Sequence, residues 1–216
     1  PAEARVLARM AEDEEVVIGG DLPTEGDATR KIRAEFVAVL AHGGCEGAAP
    51  PPSGLHIRGA WIAGELDLRG PQIDLDLGLY DCRFDAPPLL RSARLANLYL
   101  NRSRLPGIVA DGLETRGDVF LRGAVVQGEA RFPGARLGGT LDCDGARFER
   151  EGGKALFLQG AEVAGAFFLR EGASVRGELD LSGARIEHIN DDRACWPGPG
   201  DLLLDRCRYG AFIGGP

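Results

Sequence analysis

The chain has 216 residues, a formal charge of −8 and a pI near 5.0, a balance that argues against general nucleic-acid binding, which needs a basic surface. Its hydrophobic content of 44% is ordinary for a globular chain that buries a core. Five cysteines at irregular spacing, with no CxxC pair, make neither a disulfide framework nor a zinc site, and no apolar run reaches the roughly 18 residues of a membrane span.

The cysteine usage points to a reducing, cytoplasmic setting. The N-terminus lacks the charged and apolar blocks of a signal peptide, although the chain opens on Pro1 and not on an initiator methionine, so its true start is expected upstream. Residues 1–50 read as a small helical cap. Ala2 to Glu14 is rich in helix formers, with Val6, Leu7 and Met10 on one side, and Thr29 to His42 places Ile32, Phe36, Val37 and Leu40 at helical spacing. A short β-like VVIG lies between them at Val16 to Gly19. The Gly/Pro-rich GGCEGAAPPPSG that follows marks a boundary.

From Leu55 onward the hydrophobic period changes from helical to alternating. The stretch GDVFLRGAVVQGEARFPGARLGGTLDCDGARF, Gly117 to Phe148, repeats one phrase of eleven residues starting at Gly117, Gly128 and Gly139. Units of the same kind start at Gly64, Leu75, Ala86, Ala96, Pro106, Lys154, Gly165 and Gly177. The second and fourth places after each start are apolar, as at Leu66 and Leu68, Leu98 and Leu100, or Leu179 and Leu181. The seventh is small (Ala93, Ala124, Ala135, Ala146) and the ninth bulky (Ile73, Leu95, Leu137, Phe148). Alternate residues of an extended chain share a face, so each unit supplies two short strands joined by a glycine turn. Strands this short cannot bury a face alone, and a fixed period lets coils stack on one another. The reading is an all-β solenoid: a right-handed, quadrilateral β-helix over residues 51–216, two units to a coil, with wall loops at 149–153 and 187–199.

The paired inward positions and the GARF, GARL and GARI phrases at Gly145, Gly134 and Gly183 resemble the pentapeptide-repeat proteins, whose square β-helix has four five-residue sides. More closely, RKIRAEFVAVLAHGGCEGAAPPPSGLHIRGAWIAGELDLRG, from Arg30 to Gly70, resembles the opening of a bacterial family of β-helical repeat proteins often labelled membrane-associated oxidoreductases. That resemblance covers nearly the whole chain. Its label implies one alternative to a plain scaffold, an oxidoreductase, and the pentapeptide-repeat resemblance implies another, a DNA-like rod that binds a type II topoisomerase.

The residues themselves favour a non-enzymatic binding or scaffold protein. A dinucleotide enzyme of the usual kind needs a GxGxxG turn between strand and helix, and here the glycines fall at repeat corners. No cofactor and no metal are expected, although EHINDDRACWPGPG at Glu187 to Gly200 gathers His188, Asp191, Asp192, Cys195 and Trp196 into one segment. Cys82 and Cys143 fall on inward positions and read as core, while Cys45 and Cys195 lie in irregular stretches. The third place of each unit points outward, yet carries Tyr99, Phe120, Leu89 and Val109 in the middle coils. These four, with Trp196, are the candidate contact surface for a protein partner or a second copy. At the eighth place Arg83, Arg94, Arg104, Arg136, Arg147 and Arg185 recur, and on one side they alternate with acid as Gln72, Arg94, Glu114, Arg136, Glu162, Arg185. The alternating row predicts a charge ladder. A row of arginines could also take phosphate or an acidic partner.

Overall fold

A computed structural model describes residues 2–10, 12, 15–24, 27–44, 46–70 and 72–214. The chain forms an all-β, right-angled solenoid of about seven turns, with two short helices in its N-terminal part. Each coil visits four walls. In the first coil Leu55–Arg58 lies on the first wall and Trp61–Ala63 on the second. Asp67 follows on the third wall, where it bridges Leu89 of the next coil, and Ile73 on the fourth, where its N–H donates to the Arg94 carbonyl.

Strands pair in parallel from coil to coil, and the register fixes the size of a turn. Leu77 pairs with Leu55, Leu98 with Leu77, Val119 with Leu98 and Leu141 with Val119, which makes each of these coils 21 or 22 residues long. Two eleven-residue units therefore close one turn. Leu66, Leu68, Leu98, Leu100, Leu121, Phe132, Leu141, Phe148, Leu179 and Leu181 are all buried, whereas Glu65 is exposed and Asp67, Asp118 and Glu129 are partly so. Alternation alone sets this: shifting the strands by one residue would exchange the two sets.

Corners explain the small and glycine positions. Gly123, Gly134, Gly145, Gly160 and Gly183 turn with φ of 64 to 69°, the left-handed region that favours glycine. Asp81, Ser92, Arg102 and Arg206 occupy the same place in other coils. The residue after the corner turns inward against the core and is small in most coils, as with Ala93, Ala124 and Ala146, although Leu113 follows the Gly112 corner. Cys82 and Ser103 also sit there. The Ser103 hydroxyl donates to the Leu79 carbonyl at 2.8 Å and accepts from the Cys82 N–H at 2.9 Å, so its burial leaves no polar atom unmatched.

Three features differ from the sequence reading. Helix α1 covers Ala2–Arg9 and buries Ala2 and Val6, with Met10 beyond it, but Leu7 faces solvent. Helix α2 covers Ala34–Ala41 and not the whole of Thr29 to His42: Lys31–Arg33 is a strand that pairs with Trp61–Ala63, and Val16–Val17 pairs with Ile57 and Arg58. The N-terminal segment thus contributes two strands to the solenoid beside its helices. Lastly, the 149–153 insertion is no separate loop. It lies inside one strand, Arg147–Phe157, as an irregularity at the corner between the second and third walls, and widens that coil to 26 residues between Leu141 and Phe167. The 187–199 excursion is likewise shorter than expected, because Arg185–Asp191 continues the fourth and first walls and pairs with Glu162–Leu169.

Candidate functional site

The outward positions of the first wall stack in one file: His56, Gly78, Tyr99, Phe120, Asp142, Phe168 and Asn190, each paired with the next. Gly78 makes room in that file. A Cβ there would lie 2.4 Å from His56 Nδ1 and 2.6 Å from a ring carbon of Tyr80. The space lets Tyr80 lean across, with its hydroxyl 3.1 Å from His56 Nδ1. A continuous aromatic stripe results, with ring centroids 5.9 Å apart for His56 and Tyr80, 6.0 Å for Tyr80 and Tyr99 and 5.3 Å for Tyr99 and Phe120. Both Tyr99 and Phe120 are half-buried. Burial raises the pKa of Tyr80 and of Tyr99, and the carboxylates Asp76 and Asp118 push Tyr99 the same way, so both phenols stay neutral.

Along one margin of the stripe runs a polar file. Asn97 donates to Asp76 Oδ1 at 2.8 Å and accepts from the Asp118 N–H at 2.6 Å, and Asp118 in turn accepts from the Thr140 N–H at 2.7 Å. This file is the reason that two units open on glycine: a Cβ on Gly117 or Gly139 would lie 2.2 Å from the Asn97 or Asp118 side-chain oxygen.

The other margin is ionic. Arg58 holds Glu15 through two hydrogen bonds of 2.5 and 2.7 Å and also pairs with Asp81. Arg102 grips Asp81 with two more, at 2.7 and 2.8 Å. Burial would raise the Asp81 pKa, but the Arg102 and Arg58 guanidinium groups outweigh it and hold the carboxyl below its ordinary value. Higher up, Arg170 donates to Asp144 at 2.6 Å and Arg122 lies 3.3 Å from Asp142 and 3.6 Å from Asp144. Asp142 stands in the outward file yet is only 5% exposed, being covered by these arginines. Burial raises its pKa.

The structure does not bring the sequence-predicted contact residues together. Tyr99 and Phe120 share the first wall. Leu89 and Val109, both half-buried, lie on the opposite, third wall, in a file with Asp67 and Arg131. The file continues to Phe157, which is shielded by Lys154 at 3.9 Å and Arg131 at 5.5 Å from its ring centre. Trp196 is at the C-terminal end, its indole N–H donating to Asp191 and its ring stacked on Phe212 at 6.3 Å. His56 and Tyr80 extend the first-wall stripe and were missed, since neither occupies the third place of a unit. The signal that could have found them is Gly78, a glycine in a file of large side chains.

The segment from Glu187 does not converge either: His188 is exposed, whereas Asp191 and Cys195 are buried. Burial pushes the Cys82 thiol up to about 12 and raises those of Cys143, Cys195 and Cys207, which disfavours the reactive thiolate at each. Cys45 lies outside the described residues. Among the described residues no helix is long and apolar enough to cross a membrane. Comparison with protein-family models, curated proteins and solved structures found no match.

Proposed function

We propose that the protein is a non-enzymatic scaffold that docks a protein partner, or a second copy of itself, on its first wall. One observation carries this reading: Tyr80, Tyr99 and Phe120 form a contiguous stack of rings on an outward face, on a wall whose backbone is hydrogen-bonded from coil to coil. Aromatic anchors on a rigid support contribute disproportionately to binding, because little side-chain entropy remains to be lost. The hydroxyls of the two tyrosines and the carboxylates of Asp76 and Asp118 give such a patch a polar edge.

The four-sided coil accords with the pentapeptide-repeat resemblance, at 21 or 22 residues per turn in place of twenty. DNA mimicry is the weaker alternative, since arginines line the second and fourth walls, where a mimic would need acids. The free cysteines Cys82, Cys143, Cys195 and Cys207 suit a reducing compartment such as the cytoplasm.

Photo-crosslinking tests the site directly. A crosslinking amino acid at position 99 should capture a discrete protein species or a dimer, and the same group at position 89, on the opposite wall, should not. Equal capture from both positions, or from neither, would remove the first wall as the docking face.

A further inference from the structure

One inward position of the solenoid breaks the rule that its neighbours keep. The second inward file of the first wall runs Leu79, Leu100, Leu121, Cys143 and Leu169, all of them buried. The next rung places Asp191 in that file, paired with Leu169 on one side and Gly214 on the other. Asp191 is only 4% exposed. Its Oδ2 accepts from the Trp196 indole N–H, but Oδ1 is buried and finds no hydrogen-bond partner. Glu178 Oε1 also lacks a hydrogen bond, yet the Lys154 ammonium lies 3.7 Å away from it. A buried carboxyl with an idle oxygen costs stability, and a departure of this kind from an otherwise consistent pattern marks a functional place in a fold.

Space is left in front of that oxygen. Gly214 occupies the next inward place without a side chain, and a Cβ there would lie 3.3 Å from Asp191 Oδ1. A cavity of about 400 Å³ opens beside them, lined by Trp196, Leu202, Leu204 and Phe212 together with Asp191 and Arg193. Small-molecule sites have volumes of roughly 300–1,000 Å³ and combine apolar walls with a few placed polar groups. Trp196 and Phe212 stack with their ring centroids 6.3 Å apart and make one aromatic side of the cavity. Arg193 is exposed and stands at its rim.

We propose that this cavity binds a small organic amine in its ammonium form, the nitrogen donating to Asp191 Oδ1 and an aromatic body lying against Trp196 and Phe212. An N–H donor is what Oδ1 lacks, and a cationic donor makes the stronger bond to a carboxylate. Aromatic ring faces favour a positive charge beside them. An ammonium is a compact point charge with three donors, whereas a guanidinium is a wide planar fork, so the amine suits a buried oxygen that the exposed Arg193 leaves unpaired. The site is independent of the aromatic stripe, because Tyr99 and Phe120 belong to the outward file of the first wall and Asp191 to an inward one.

The test is isothermal titration calorimetry of the full chain with phenethylamine, phenethyl alcohol and 3-phenylpropionate, which share one body and differ in the terminal group. The amine should bind saturably, the alcohol at least tenfold more weakly and the carboxylate not measurably. Asp191→Asn should keep its circular dichroism spectrum, weaken the amine at least tenfold and change the alcohol less than twofold. If Asp191→Asn does not fold, Gly214→Leu decides, since it fills the space before Oδ1 with the carboxyl left in place and should weaken the amine at least tenfold. The proposal is overturned if the amine does not bind saturably, if the alcohol or the carboxylate binds as tightly, or if the deciding variant binds the amine unchanged. Tighter binding of n-butylamine, which has the shape of a lysine side chain, would make a partner's lysine the occupant and overturn the small-molecule assignment.

Discussion

Phe120 stands one coil above Tyr99, its ring within 9° of parallel to the tyrosine's and the centroids 5.3 Å apart. The pair belongs to the wall and not to the core, and that distinction is measurable. Phe120→Ala removes one aromatic contact and a half-buried ring, so it should cost about 0.5–1.5 kcal/mol. Phe132→Ala empties a fully buried site and should cost about 3–5 kcal/mol. Urea unfolding of the two variants gives the comparison, and equal losses would place Phe120 within the core energetics.

Corner glycines separate two kinds of cost. At Gly134, φ is +64° and no atom lies within 4 Å of an added Cβ, so Gly134→Ala pays only for the left-handed backbone, about 1 kcal/mol. At Gly128 the backbone is unexceptional, but an added Cβ would lie 2.3 Å from the Pro106 carbonyl oxygen of the coil below. Gly128→Ala must spread two coils and should cost about 1–3 kcal/mol. Thermal melts that ranked Gly134→Ala as the more damaging would contradict the steric account.

Asp142 carries a pH signature. Its pKa in the fold is raised, chiefly by burial, so its contribution to stability is full below the ordinary aspartate value near 4 and is lost as pH rises through the raised value. Asp142→Asn should accordingly be neutral or slightly stabilising at pH 7, and that benefit should vanish at pH 3. Asp81, held below its ordinary value by Arg102 and Arg58, has the opposite sign: its contribution is present above pH 4 and fades as pH falls through its lowered value. Stability profiles of Asp142→Asn and Asp81→Asn between pH 2 and 7 should therefore diverge with pH in opposite directions.

The fourth-wall ladder is exposed and each ion pair in it is worth little, about 0.2–1 kcal/mol. Glu114 serves two arginines, Arg94 and Arg136. Glu114→Gln leaves those two cations without the acid between them, and should lower stability by about 0.5–1 kcal/mol at low salt with the difference shrinking in 1 M salt. A salt-independent loss would mean that Glu114 acts through packing.

Much of this architecture is legible from the alternation of apolar residues, because a period of two fixes which side chains turn inward and an eleven-residue unit fixes what stacks on what. Tyr99 under Phe120 and Arg94 beside Glu114 both follow from that count. The same count separates the walls: with two units to a coil, Leu89 and Val109 share a repeat position with Tyr99 and Phe120 but stack on the other side. Ile32 illustrates a limit. Its strand has only three residues, too few for alternation to show against the helical spacing it makes with Phe36 and Leu40. Asp142 is buried by Arg122 and Arg170, long side chains from neighbouring coils whose fold-over no local pattern records.

The docking claim is tested most directly by the paired variant Tyr99→Ser with Phe120→Ser, measured for affinity toward the species captured at position 99 or for self-association by light scattering. An intact circular dichroism spectrum with affinity reduced at least tenfold, about 1.4 kcal/mol or more, is the predicted result. Undiminished association by the folded variant would contradict the claim that the first wall is where the protein binds.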